Sequence, residues 1–109
     1  MNQRLTFHLI PHTHWDREWY LPRAAFLARL VGVVEDLIDQ LDRDPSARFV
    51  LDGQTVLLED VLPIRPDLGP RLTELVRRGV LEVGPWYILA DELIPGGESL
   101  LRNLLQGSR

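Results

Sequence analysis

The sequence contains no cysteine among its 109 residues, which excludes disulfide bonds and thiolate metal sites. It also lacks any run of about 18 apolar residues, the length that a membrane-spanning helix requires. Acidic and basic residues are interspersed, with a formal net charge of −4, so no basic surface for nucleic acid or for an anionic membrane is indicated. The stretch from Met1 to Ile10 is too polar for a signal peptide. We therefore expect a single-domain, cytoplasmic protein.

Alternating strand and helix patterns predict an α/β fold. Apolar residues recur every three to four positions from Arg23 to about Arg43, a period typical of an amphipathic helix. In "GPRLTELVRRG", Leu72, Leu75 and Val76 are expected to point inward, and Gly79 to end the helix. The other predicted elements are strands at Leu5–Ile10, 48–51 and Val80–Gly84 and helices at Thr55–Leu62 and from about Glu98 through Leu105.

Polar and aromatic side chains follow each predicted strand. Strands joined by crossover helices pair in parallel, and their carboxyl ends form the edge where ligands bind in α/β proteins. We therefore expect three separate segments to converge on one face. The residues concerned are His12, His14 and Asp16 after the first strand, Asp52 and Gln54 after the second, and Trp86, Asp91 and Glu92 after the third.

The first of these segments has the spacing of a metal site. His12, His14 and Asp16 point the same way in an extended chain, and imidazole nitrogen with carboxylate oxygen suits zinc. The alternative is a histidine pair bonded to the backbone with Asp16 capping a turn, and the spacing alone does not decide between them. A further ligand must come from another segment. Asp91 is the best candidate because an acid in the apolar run "WYILADELI" is costly unless paired or coordinated, although a turn-initiating acid is the simpler interpretation.

The tryptophans lie only beside these polar clusters. Trp15, Trp19 and Trp86 could pack in the core, as most tryptophans do, or could provide platforms for the apolar face of a sugar, and Trp19 is the best candidate for the second role. Arg17 is interpreted as part of a solvated pair with Glu18 or as a group that orients the ligands. Asp52 could be a residue of the site at the strand end, or it could instead be a cap for the helix that follows it.

Four segments in register carry a more specific indication. They are "PHTHWDREWY", "FVLDGQTVLLED", "LVRRGVLEVGPWYILADE" and "GGESLLRNLLQG". Together they resemble the amino-terminal part of glycoside hydrolase family 38 α-mannosidases, in the bacterial branch that includes mannosylglycerate hydrolases. The resemblance covers nearly the whole chain. It implies the amino-terminal portion of a seven-stranded β/α barrel, with parallel strands and crossover helices.

The resemblance also implies residue roles. His14 and Asp16 would be ligands of one zinc ion, and Asp91 would be both a ligand and the nucleophile of a retaining mechanism. Trp19 would stack on the sugar, an α-mannoside or a mannosylglycerate-type carbohydrate. His12 is not a ligand in that family. The resemblance therefore removes His12 from the set of candidate ligands that the spacing alone suggests.

Parts of the family's machinery do not match any residue of the chain. A further histidine ligand and the general acid are expected downstream, so residues 1–109 would be the amino-terminal part of the catalytic domain, ending within its last helix and lacking meaningful turnover alone. An open sheet edge would then favour self-association. Two other functions remain in view. One is a metal-dependent carbohydrate deacetylase, although its usual Asp-Asp pair and HxxxH arrangement are missing, and the other is a non-catalytic truncated module.

Overall fold

The computed structural model describes residues 4–109, so the first three residues of the polar amino-terminal stretch lie outside the described part. From residue 23 onward the order of helices and strands is the one predicted, with bounds that differ by at most two residues. The elements are α1 (Arg23–Arg43), β1 (Phe49–Leu51), α2 (Val56–Val61), a 3-10 turn (Pro66–Leu68), α3 (Gly69–Arg77), β2 (Leu81–Val83) and α4 (Gly97–Gly107).

The sheet contains two parallel strands, as the alternation of strands and helices predicts. β1 pairs with β2 in the register Phe49 to Leu81 and Leu51 to Val83. Two single parallel bridges extend this pairing. His12 pairs with Val50 on the other edge of β1, and Gln54 pairs with Trp86 beyond the carboxyl ends of the two strands. The α2–α3 segment provides the crossover that parallel pairing needs.

The predicted strand at Leu5–Ile10 was wrong. These residues adopt no regular structure, and Leu9 is 91% exposed. The chain reaches β1 only at Pro11, whose carbonyl accepts a hydrogen bond from Val50 N–H at 3.0 Å. Because His12 pairs with Val50, Ile10 falls opposite Arg48, before β1 begins. An alternating pattern without a neighbouring ladder leaves backbone groups unpaired, so no strand forms there.

The core lies between the helices and the sheet. Helix α1 buries one stripe at helical spacing, consisting of Phe26, Leu30, Val34, Leu37, Ile38 and Leu41. Helix α3 buries Leu72 and Leu75, whereas Val76, expected to point inward, is 40% exposed. Val76 lies about 100° around the helix from Leu75 and therefore falls at the margin of the buried stripe. Gly79 has a φ of +66°, which agrees with its predicted role at the helix end.

None of the helices formed by residues 4–109 combines the length and the apolar character needed to cross a membrane.

Candidate active site at the strand ends

Three segments converge on one cavity, as predicted from the positions of the strands, but the third contributes Ile88 and Leu89 in place of the predicted Trp86, Asp91 and Glu92. The cavity has a volume of about 450 Å³, within the range typical of small-molecule sites. Its lining comes from the segment before α1, from the end of β1 and from the loop after β2. The residues are His14, Trp15, Asp16, Arg17, Glu18, Arg23, Gln54, Ile88 and Leu89.

His14 lies between two carboxylates. Its Nε2 is 3.6 Å from Oδ1 of Asp16, and its Nδ1 is 3.6 Å from Oδ1 of Asp52. The imidazole is exposed and Asp16 is half-buried, whereas Asp52 is only 6% exposed. The two nitrogens of one ring thus face an accessible acid and a buried acid.

Asp52 does not cap α2. The first turn of that helix has no side-chain cap, and Asp52 Oδ2 instead accepts a hydrogen bond from Trp15 N–H at 2.8 Å. Burial raises the pKa of the Asp52 carboxyl, and hydrogen bonds from Trp15 and Gln54 offset only part of that effect. Asp52 also has a φ of +52°, in the left-handed region that aspartate tolerates better than most residues.

Gln54 connects two of the converging segments. Its Nε2 donates to Trp15 C=O at 2.8 Å and also to Asp52, and its Oε1 accepts from Leu89 N–H at 3.2 Å. The side chain is 4% exposed, so these bonds are shielded from water. One buried amide thereby joins the His14–Asp16 segment to the loop that follows β2.

Arg17 binds a buried acid rather than Glu18. Its Nε donates to Oδ2 of Asp60 at 2.6 Å and its Nη2 to Oδ1 at 2.8 Å, while Arg23 Nη2 donates to the same Oδ1 at 2.6 Å. Burial pushes the pKa of Asp60 up, but the bonds and charges of Arg17 and Arg23 outweigh it and the net pKa is lowered. Sequence reasoning missed Asp60, although an acid in the apolar helix "VLLEDV" was a usable signal.

Asp91 lies in the exposed loop before α4. Its Oδ1 accepts from Leu93 N–H at 3.2 Å, and its backbone C=O accepts from Ile94 N–H at 3.1 Å, which is the local turn considered as the simpler interpretation. Leu89, two residues earlier, lines the cavity, so the Cα of Asp91 lies within about 7 Å of that of Leu89. Within residues 4–109 no three His, Cys, Asp or Glu side chains are grouped so that they could hold a metal ion. The structure therefore brings His14 and Asp16 together and leaves Asp91 in its own turn.

The tryptophans differ in their surroundings. Trp15 is half-buried and packs edge to face on Phe26 with ring centroids 6.2 Å apart. Trp19 is 75% exposed and lines a second cleft of about 700 Å³, to which His14 and Asp16 also contribute. Trp86 is half-buried and pairs through its main chain with Gln54. Of the three, only Trp19 presents an open ring beside the His14–Asp16 pair.

Asn103 on α4 is a further residue that sequence reasoning missed. Its Oδ1 accepts from the N–H groups of Tyr87 and Ile88 at 3.0 and 2.9 Å, and its Nδ2 donates to Ile88 C=O at 2.6 Å. An asparagine within the apolar stretch "SLLRNLLQG" was the available signal. Helix α4 therefore fixes the start of the loop that leads to Asp91.

Residues 4–109 match the family model described as "Glycosyl hydrolases family 38 N-terminal domain". The chain belongs to glycoside hydrolase family 38. The resemblance carried by the four sequence segments is thus confirmed. The relatives described next are named as glycosidases.

Individual relatives in family 38 agree with this assignment. The chain is 44% identical over 103 residues to "Putative mannosylglycerate hydrolase" of Halalkalibacterium halodurans, a match that covers 94% of this chain and 12% of that protein. It is 29% identical over 103 residues to Alpha-mannosidase 2C1 of Homo sapiens, covering 94% of this chain and 10% of that one. The crystal structure of an alpha-mannosidase from Enterococcus faecalis superimposes with a TM-score of 0.83 at 42% identity, covering 90% of this chain and 11% of that chain. The chain thus spans about a tenth of the length of each of these family 38 proteins.

Proposed function

We propose that this chain is the amino-terminal part of the catalytic domain of a metal-dependent, retaining α-mannosidase. The observation that carries the proposal is the His14–Asp16 pair, placed at a cavity where three strand-end segments converge in a chain of family 38. The substrate would be an α-mannoside or a mannosylglycerate-type carbohydrate, which the name of the 44% identical relative supports.

The donor chemistry of His14 and Asp16 fits zinc. An imidazole nitrogen and a carboxylate oxygen are ordinary zinc ligands, and both side chains are accessible from the cavity. Asp91 would add a second carboxylate, in exchange for its bond with Leu93 N–H. One more ligand, a histidine, would come from outside the residues of this chain. When bound, zinc would act as a Lewis acid toward hydroxyl groups of the mannose ring.

The chain's own residues would bind and attack the sugar. Trp19 would stack on the apolar face of the mannose ring, since its exposed indole shares a cleft with His14 and Asp16. The Asp91 carboxylate would attack the anomeric carbon and expel the aglycone, forming a covalent glycosyl-enzyme that water then hydrolyses. Retaining glycosidases need a second carboxyl group about 5 to 5.5 Å away to protonate the leaving oxygen. That acid would also come from outside this chain, so we expect no meaningful turnover from residues 1–109 alone.

The two parallel strands and the segment at 11–13 would begin a seven-stranded β/α barrel. In such barrels the catalytic groups lie at the carboxyl ends of the strands, which is where His14, Gln54 and Leu89 meet here. The further strands would cover the open side of the sheet.

Calorimetric titration of the chain with zinc tests the metal part of the proposal. We expect one zinc ion to bind, and His14→Ala and Asp16→Ala to abolish binding. His12→Ala is the matched control, because His12 is exposed, lies two residues away and is not a proposed ligand. Failure of the wild-type chain to bind zinc, or equal loss in the His12 variant, would contradict the assignment. Release of nitrophenol from an aryl α-mannoside by the chain with zinc would contradict the expected lack of turnover.

A further inference from the structure

Asp52 and Gln54 hold both polar groups of one peptide unit. The Trp15 N–H donates to Asp52, and the Trp15 C=O accepts from Gln54, each over 2.8 Å. Trp15 stands between His14 and Asp16 in the chain. The two side chains therefore restrict the backbone torsions that decide where His14 and Asp16 point.

The same two residues make one further contact each toward the candidate site. Asp52 Oδ1 lies 3.6 Å from His14 Nδ1, on the side of the ring opposite to Asp16. The separation is longer than a hydrogen bond, but a negative charge on this side of the ring favours a proton on Nδ1 and leaves the other nitrogen free for the ion. Gln54 Oε1 accepts from Leu89 N–H, at the start of the segment that leads to Asp91.

Burying the polar side chains of Asp52 and Gln54 is unfavourable for folding unless their hydrogen bonds compensate for it. A carboxylate and an amide that are almost fully buried lose hydration, and Asp52 also occupies a backbone region that few non-glycine residues adopt. Neither side chain caps α2. Their hydrogen bonds instead join Asp52 and Gln54 to the main chain of Trp15, to each other and to Leu89 in the loop after β2.

We infer that Asp52 and Gln54 are positioning residues of the candidate site. Both hold the Trp15 main chain so that His14 and Asp16 face one cavity. Asp52 also orients the His14 ring so that Nε2 faces a divalent cation. Gln54 also fixes the position of this segment relative to the loop that leads to Asp91. The identity of the cation rests on the proposed function, whereas the positioning does not.

Two substitutions separate these contributions. Asp52→Asn keeps an acceptor for Trp15 N–H and tolerates a positive φ, but removes the charge that faces His14. Gln54→Leu removes the three hydrogen bonds at similar volume. Val34→Ala is the control for stability, since Val34 is a buried core residue of α1 outside both cavities.

The readouts are zinc affinity by calorimetry and the imidazole nitrogen shifts of His14 by NMR. We expect Asp52→Asn to weaken zinc binding about 10- to 100-fold. In the metal-free chain, the same substitution should shift His14 from the tautomer protonated at Nδ1 toward a mixture. Val34→Ala should lower the unfolding midpoint and leave both readouts as in the wild type. A folded Asp52→Asn variant with unchanged zinc affinity and unchanged His14 shifts would overturn the inference, as would an equal loss of affinity in Val34→Ala.

Hydrogen exchange at the Leu89 amide tests the role of Gln54 without metal. Exchange should be faster in Gln54→Leu by at least about 10-fold, as the loss of a net hydrogen bond of about 1.4 kcal/mol implies. It should stay near the wild-type rate in Val34→Ala, which leaves the three hydrogen bonds of Gln54 in place. Equal exchange rates in Gln54→Leu and the wild type would overturn this part. If the wild-type chain binds no zinc, the proposed metal site fails, and the exchange rates and His14 shifts still decide whether Asp52 and Gln54 position the segment.

Discussion

The carboxylate of Asp60 binds the guanidinium of Arg17 side-on, with Nε to Oδ2 at 2.6 Å and Nη2 to Oδ1 at 2.8 Å. This contact links the last turn of α2 to the residue that directly follows Asp16. Arg23, at the start of α1, binds the same carboxylate. Three parts of the chain therefore meet at one buried acid beside the candidate site.

Replacing that acid should destabilise the fold. We expect Asp60→Ala to lower the free energy of unfolding by about 2 to 3 kcal/mol, because charged hydrogen bonds are lost while both guanidiniums keep some access to water. Urea denaturation measures the change. Glu74→Ala is a suitable control, since Glu74 forms an exposed pair with Arg77 on α3 and should change stability little. Similar losses in the two variants would show that the Asp60 cluster has no special role.

The stabilisation by Asp60 should depend on pH. Its pKa is lowered in the folded chain, so its contribution is complete above the unfolded value of about 3.9 and is lost as the pH falls through the folded value. The difference in unfolding free energy between the wild type and Asp60→Asn should therefore shrink below about pH 3.9. The contribution of Asp52 to stability should have the opposite pH dependence. Because burial raises its pKa, its charged form costs stability at neutral pH, and this cost disappears as the pH falls through its folded value. A constant difference across this range for Asp60→Asn would contradict the linkage.

Gly107 should not tolerate a side chain. A Cβ built at this position overlaps the backbone of Pro85 and Trp86, where the end of α4 packs on the loop after β2. We expect Gly107→Ala to destabilise the chain by about 1 to 3 kcal/mol, as overpacked sites do, measured by thermal or urea unfolding. Gly97→Ala on the same helix is the control, because no atom lies within 4 Å of its Cβ position. Equal stability of the two variants would show that α4 can move away from the loop at little cost.

The exposed apolar residues near the amino terminus should promote self-association of the chain. Leu5, Phe7 and Leu9 are all largely exposed, and the segment that follows them pairs with one side of β1 at a single bridge. Light scattering should show mass that increases with concentration, and Phe7→Ser with Leu9→Ser should reduce it. Serine substitution at Val76 and Leu105, which are exposed apolar residues on α3 and α4, controls for a general loss of apolar surface. A stable monomer at high concentration would contradict this expectation.

Helices were more predictable than the first strand because their signal is local. The stripe of α1 recurs within the helix itself, and its bounds at Arg23 and Arg43 are those expected from that period. The pattern at Leu5–Ile10 was equally regular, but a strand also needs a partner. The register with β1 supplied that partner only from Pro11 onward.

The contacts of the candidate site could be predicted only in part. The alternation of elements was enough to expect His14, Gln54 and the loop after β2 at one edge. Asp60 was missed because Arg17, its partner, lies 43 residues away in the sequence. The hydrogen bonds of Asn103 to Tyr87 and Ile88 were missed for the same reason. The roles of Asp91 and Trp19 remain predictions.

The amino-acid sequence by itself determined the family, the helical core and the edge of the sheet where the polar segments meet. Each of these depends on residue order along the chain, through periodicity, turn residues and motifs in register. Only the tertiary structure decided that Asp52 and Gln54 hold the backbone between His14 and Asp16, and that Asp60 joins α1 and α2. Buried polar groups must find hydrogen-bond partners, and which partners they find depends on distances in space that no local pattern records.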